Sequence, residues 1–500
     1  MLTKKQNNQE KKLDLFILFM YTLYNIITHH FKGDSIMNNF VTPNDKGIMA
    51  DTDSRSINNA VKEAIKSGIG RVVIPRINER TGENRWDVDE AILLSSNLEI
   101  ILDNCYIRQM DGSMDNVFRN INDPATPSTV EDEDRNIVIR GRGNAVIDGG
   151  KMNDLCEATS CKDGLPHVEK NNVIRLYNVR GLKLQNFTIL NQRWWAINLY
   201  FVEEALISGL TIITKPNGLN QDGIDLRVGC NNIIIENIYG QSGDDFIALS
   251  GFWSVNKAKK YNVIGKSIDI HDIVIKNIVA TSTECAVIAL RNHDGVRMYN
   301  ITIDTVHDVL TSEAANDKNP RFDHYFEADS YKSPRSPYAT VRIGQDGYIS
   351  QHECQSGDVF GLHVTNIHGR LNNTVMLNET IENSYFGNIY ADNDVDCVIT
   401  AKTHRPTLNY GADLKNVVFE NVFYNCRDNE NSTAFDFPLN HREHTMQNVV
   451  IRNAFIGNAK TAINMGHKGC VHVTGLYSNT PSPNIIVSEG CEVILDGKKI

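Results

Sequence analysis

One phrase recurs along this chain and limits what it can become: aliphatic, any residue, aliphatic, any residue, Asn or Gly, aliphatic. It appears as Leu182-Lys-Leu-Gln-Asn186, Ile233-Ile-Ile-Glu-Asn237, Ile273-Val-Ile-Lys-Asn277 and Val296-Arg-Met-Tyr-Asn300. It returns as Leu362-His-Val-Thr-Asn366, Val417-Val-Phe-Glu-Asn421, Val449-Val-Ile-Arg-Asn453 and Val471-His-Val-Thr-Gly475. Alternation with period two predicts a strand in each copy. A spacing in the low twenties, with little helical pattern between copies, predicts a solenoid. Inward aliphatics then form one continuous core, and the Asn sits where the strand turns, because its side chain tolerates left-handed backbone and can bond its stacked neighbour. The expected fold is all-β, a right-handed parallel β-helix. A leucine-rich repeat lacks support in the Leu pattern, and a β-propeller would need longer, Trp-marked units.

An open first coil would expose apolar side chains and ladder groups, so a cap is needed. Residues 53–67 predict a short N-terminal capping helix, with Asp53 or Ser54 as N-cap. Ile57, Val61 and Ile65 share its apolar face, and Gly68 and Gly70 end it. The strand Arg71-Val-Val-Ile-Pro75 follows, then early coils at Ile137-Val-Ile139 and Val146-Ile-Asp-Gly149.

Composition excludes several function classes. A net charge of −11 disfavours nucleic-acid binding, which needs an excess of Lys and Arg. The 41% hydrophobic and 22% charged fractions are those of a globular chain, not of a multi-span membrane protein. Ten Cys in 500 residues are too sparse for a disulfide scaffold, and Cys156 and Cys161, the closest pair, have no metal-spaced partners. Residues 1–36 stand apart. Their apolar run, Leu15 to Ile27, is shorter than the roughly 20 residues of a membrane span. They read as a leader before a start at Met37, with Lys32-Gly33-Asp34 encodable by a ribosome-binding sequence, as a weak signal segment, or as an anchor. Residues 37–500 are expected to form one β-helical domain. A start at Met37 implies a cytoplasmic protein, and a signal segment implies a secreted or periplasmic one.

Two consecutive coils carry acid clusters, Asn220-Gln-Asp-Gly-Ile-Asp-Leu226 and Gly243-Asp-Asp-Phe-Ile-Ala-Leu249. Aligning Ile224 with Ile247 and Leu226 with Leu249 puts Asp222 over Asp245 and Gln221 over Asp244. Like charges that close repel, so one carboxyl keeps its proton to higher pH. A protonated acid beside an ionised base is what glycosidic hydrolysis requires. Each residue alone reads as a turn residue, and clustered carboxylates also suit Ca²⁺.

With these motifs the chain resembles the polygalacturonase family of glycoside hydrolases, family 28, over most of residues 45–480. The family's Asn-Thr-Asp and Gly/Gln-Asp-Asp motifs correspond to Asn220-Gln221-Asp222 and Gly243-Asp244-Asp245. The resemblance implies Asp244 as general acid, Asp222 and Asp245 as holders of the attacking water, and hydrolysis of pectin with inversion. Two departures stand out. The family's Gly-His-Gly coil reads Thr283-Glu284-Cys285-Ala286 here, and its Arg-Ile-Lys reads Arg342-Ile343-Gly344. The missing cation weakens the expectation of a galacturonate ring in the cleavage subsite and leaves another uronic-acid glycan or a neutral sugar chain open.

Further candidates for substrate contact are Asn220, Arg342, Arg291, His293 and Trp195, the last because aromatic faces stack on sugars. Arg321, His324, Tyr325 and Lys332 belong to a long polar insertion that reads as one wall of a cleft. The expected function is an O-glycosyl hydrolase acting on an oligo- or polysaccharide, with no cofactor or metal and no nucleic-acid partner. The rivals are a polysaccharide lyase on the same fold and a non-catalytic glycan-binding or structural β-helix.

Overall fold

Aliphatic side chains stacked in register hold the molecule together. Ile224, Ile247, Ile288 and Val341 follow one another across successive parallel strands, as do Leu226, Leu249, Leu290 and Ile343. All eight are fully withdrawn from solvent. Burying one such side chain contributes about 1.5–3 kcal/mol, and the stack repeats the gain at each coil. The ladder runs from Arg71–Pro75 to Cys491–Leu495 with parallel pairing throughout. The result is a right-handed parallel β-helix, the hand expected of parallel crossovers.

The structure is a computed structural model. It describes residues 39–120, 128–153, 155, 168–214, 220–253, 255–283, 285–292, 294–309, 339–344, 355–370, 372–392, 395–401, 412–424, 426, 432–439, 443–479 and 484–500. The expected leader, Cys156, Cys161, Glu284, His293, Arg321, His324, Tyr325 and Lys332 lie outside them. Among the described residues no helix is long and apolar enough to cross a membrane.

The recurring Asn residues mark corners. Asn186, Asn237, Asn277, Asn366, Asn421 and Asn453 all have φ between 54° and 58° or within a degree of it, as does Gly475 at 70°. Amide side chains bond along the axis, from Asn277 to Asn237 at 3.2 Å and from Asn421 to Asn388 at 3.0 Å. Asn300 corrects the repeat count. Its amide donates to Asp272 at 3.2 Å, and it stacks with a second corner that includes Asn232, Asn383, Asn416 and Asn448. The corner above Asn277 is occupied by Thr305, also at positive φ. Each such coil therefore turns at two left-handed positions five residues apart, and the phrase ending at Asn300 is phased one corner early.

Helix α1, Asp53–Lys66, closes the first coil with Ile57, Ala60, Val61 and Ala64 buried. Its N-cap is Thr52, whose hydroxyl accepts from the Arg55 N–H at 3.2 Å, not Asp53 or Ser54. The buried Asp53 carboxylate is instead paired with the partly exposed Arg80, and Ser54 donates to Asp89. Ile65 is 43% exposed, so the apolar face is carried by Ala60 and Ala64 instead. At the other end, Asp496 and Gly497, both at positive φ, turn the chain so that Lys498–Lys499 pairs antiparallel with Cys491–Leu495. A charged, short last strand suits an exposed edge.

Candidate active site

Five strands build the site: β1 (Ile197–Ser208), β2 (Ile224–Arg227), β3 (Ile247–Ser250), β4 (Ala286–Arg291) and β5 (Ala339–Ile343). Their inward residues fill the core, so the alternate residues face outward on one sheet. Register sets these in two columns. One runs Asn198, Asp225, Ala248, Ala289, Arg342. The other runs Arg227, Ser250, Arg291. Ala248 and Ala289, with Ala286, make a small apolar floor between charged neighbours.

The acids enter from the turns before β2 and β3. The Gly223 N–H donates to the Asp245 carbonyl at 3.0 Å, and Ile224 pairs with Ile247, so Asp222 lies one coil from Asp245. The Gln221 carbonyl accepts from the N–H groups of Gly243, at 3.0 Å, and Asp244, at 3.4 Å, which ties the two acid turns together. Behind them the Gln221 amide donates to the Gln192 carbonyl at 2.7 Å, and Gln192 donates to the Asp222 carbonyl at 3.2 Å. Asn220 precedes this turn at φ 56° and sets its direction.

Three of the expected residues therefore meet, and a fourth carboxylate joins them. Asp225, outward between Ile224 and Leu226, is fully buried. Asp222 and Asp245 are each 1% exposed, and Asp244, at 9%, is the most open of the four. Among the described residues, neither oxygen of Asp222 or of Asp225 has a hydrogen-bond partner. Asp245 Oδ1 accepts the Ala286 N–H at 3.0 Å, and Oδ2 faces Arg291 Nη1 at 3.7 Å. Burial, then the neighbouring acids, push the Asp222 carboxyl well above the usual range. Burial likewise raises Asp225 against the pull of Arg227 and Arg291. Asp245 is raised to about 6, by burial and Asp244, with Arg291 and Arg342 opposing. Protons bound here belong to the cluster as a unit.

Arg342 stands outward between Val341 and Ile343, as expected, and is 2% exposed. The absent lysine has a local cause. Gly344 sits at φ 99°, and a Cβ there would fall 2.3 Å from Glu379 Cγ and 2.6 Å from the Asn378 carbonyl carbon. No side chain fits. Cys285 occupies the coil after Asp244, and burial with the two acids raises its thiol well above the usual range. Asp244, Asp245 and Cys285 offer donor atoms all within 4.8 Å of one another, a set that could hold a metal ion.

Trp195 lies in the turn before β1, one coil below Asp222, since the Ala196 N–H donates to the Asp222 carbonyl at 3.0 Å. One of its faces is already covered, by the Arg227 guanidinium 4.9 Å from the ring centroid. Asp225 and Arg227 went unnamed among the sequence candidates. The signal was present, because they are the outward alternates of the Ile224–Arg227 strand.

Fold and site together define a parallel β-helix with a buried carboxylate cluster on one sheet face. Residues 109–261, which contain Trp195 and all four acids, match the model of glycosyl hydrolases family 28. A 118-residue stretch is 31% identical to a probable polygalacturonase of Vitis vinifera, covering 24% of this chain and 23% of that relative. The aligned segment thus spans about a quarter of the relative's length. The resemblance read from the motifs is met over these residues. Among solved structures, the family 28 exopolygalacturonase of Yersinia enterocolitica aligns over 92% of this chain and 79% of its own, at 14% identity and a TM-score of 0.49. A tailspike protein of E. coli bacteriophage HK620 aligns over 92% and 81%, at 11% identity and the same TM-score.

Proposed function

We propose that this chain is a glycoside hydrolase that cleaves an O-glycosidic bond in a pectin-type or other uronic-acid-containing glycan, by direct displacement with inversion. The observation that carries this reading is the stacking of Asp222 over Asp245 with Asp244 beside them, all in one buried patch. Asp245 is the base. Arg291 and Arg342 favour its ionised form, and its Oδ1 is fixed by the Ala286 N–H. Asp222 has two unpartnered oxygens directly across the coil step, which gives a water a second acceptor. The water is thereby aimed at the anomeric carbon from one side.

Asp244 is the acid. It is the most exposed member, so it can reach the leaving oxygen and deliver to it a proton held by the cluster as a unit. The water's proton passes to Asp245 as the Asp244 proton passes to the departing sugar, so charge within the cluster is conserved. Reducing-sugar release across a panel of pectic and uronic-acid fragments tests the reading. The protein should release reducing ends from at least one, and Asp244→Asn should lower that rate by about 10³-fold or more, consistent with loss of general-acid catalysis. Equal rates for both proteins would refute it.

A further inference from the structure

Arg227 is a buried cation that the reaction above does not use. It is 2% exposed, yet among the described residues its Nε and Nη2 have no hydrogen-bond partner and it forms no ion pair. Those two nitrogens form one edge of the guanidinium, the edge that a carboxylate takes with two parallel bonds. Trp195 and Tyr200, both from the coil below, pack on it, with ring centroids 4.9 and 5.5 Å from its central carbon. Two further unpartnered donors stand beside it. Among the described residues, Trp195 Nε1 is buried without an acceptor, and so is Ser250 Oγ, which is paired in register with Arg227 on the next coil. Leaving a buried donor unsatisfied costs about 1–3 kcal/mol, and more for a charged group. Several in one neighbourhood, next to a reactive centre, call for a ligand rich in acceptors.

Their place along the axis is specific. Trp195 is one coil below Asp222, Arg227 is on the Asp222 coil and Ser250 on the Asp245 coil, so the donor set lies beside the acids in the neighbouring outward column, whereas Arg342 lies on a later coil in the Asp225 column. We propose that Arg227, with Trp195 Nε1 and Ser250 Oγ, forms a subsite for the carboxylate of a uronic acid residue next to the scissile bond. Arg227 is then the residue that makes the protein choose an acidic glycan over its neutral counterpart. The site takes over the discrimination that Gly344, with no room for a side chain, cannot supply.

This inference rests on the glycosidase reading, and binding separates the two. Asp244→Asn protein is titrated calorimetrically with a trigalacturonate and with the same trisaccharide after carboxyl reduction. The acidic ligand should bind about 10²-fold tighter or more. Adding Arg227→Met should reduce that preference to within about 3-fold, with Arg227→Lys between them. Thermal unfolding checks the fold. Met keeps most of the side chain's apolar packing against Trp195 and Tyr200, so Arg227→Met should unfold cooperatively near the parent temperature. Equal binding of the two ligands before mutation would overturn the inference, as would an acid preference that survives Arg227→Met, or a lower unfolding temperature with both affinities lost together. Absence of cleavage by the Asp244-intact protein would count against the glycosidase reading alone.

Discussion

Asp245 stands one coil beyond Asp222, tied to it by the bond from the Gly223 N–H to the Asp245 carbonyl at 3.0 Å. Residues 23 apart in sequence thus meet because the aliphatics beside them are in register. The rest of the account follows from what surrounds this pair.

The Asp245 carboxyl is raised to about 6 and is held there partly by Arg291. As the base it must be ionised, so activity should rise with pH through about 6. It should fall again where the cluster loses the last proton needed by the acid. Arg291→Met removes a lowering influence, so the rising limb should move to higher pH. Profiles of kcat/KM against pH for both proteins measure this, and an unmoved limb would contradict it.

Carboxyls raised in the folded state bind protons more tightly than in the unfolded chain. Their contribution to stability is present below the unfolded value, near 3.9, and is lost as pH rises through the folded value. Asp225→Asn removes such a group while keeping its shape. The variant should therefore unfold at a higher temperature than the parent at pH 8, with a smaller gap at pH 4. Scanning calorimetry at the two pH values reads the sign.

Restoring the lysine at Gly344 should not improve the enzyme. A non-glycine residue at φ 99° is strained by roughly 1–3 kcal/mol, and its Cβ would also meet Glu379 and Asn378. Gly344→Lys should lower the unfolding temperature without raising kcat/KM on acidic substrates. A gain in kcat/KM at unchanged stability would refute the close-approach argument.

The left-handed corners predict another asymmetry. Asn421, at φ 54°, donates to Asn388 at 3.0 Å and accepts from Asn453 at 3.3 Å. Asn421→Ala loses both bonds and places a Cβ residue in the left-handed region, for a loss of about 1–3 kcal/mol. Asn421→Gly loses the bonds but keeps the conformation, so it should be the milder change. Denaturant unfolding compares them.

These cases show what the sequence made legible. Alternation and the Asn corners were readable because strand period and left-handed tolerance are properties of single residues. Ile224 over Ile247 was readable because each acid turn carries its own aliphatic ruler. Asn300 was assigned to the wrong corner because both corners of a coil prefer Asn, and only pairing across coils tells them apart. Thr52 took the cap because Asp53 is drawn to Arg80, a contact 27 residues away. Arg227 reads locally as one charge at a strand end. Only the fold reveals that it is buried against Trp195 with an edge left free.

The central claim is that Asp222, Asp244 and Asp245 act as one proton-handling unit. The most direct test compares turnover, on the best substrate of the panel, for Asp222→Asn, Asp244→Asn, Asp245→Asn and the triple variant. Groups acting as a unit are strongly non-additive. Each single variant should lose about 10³-fold or more in kcat, and the triple variant should lose little beyond the worst single one. A single variant within 10-fold of the parent, or losses that multiply in the triple variant, would contradict the account.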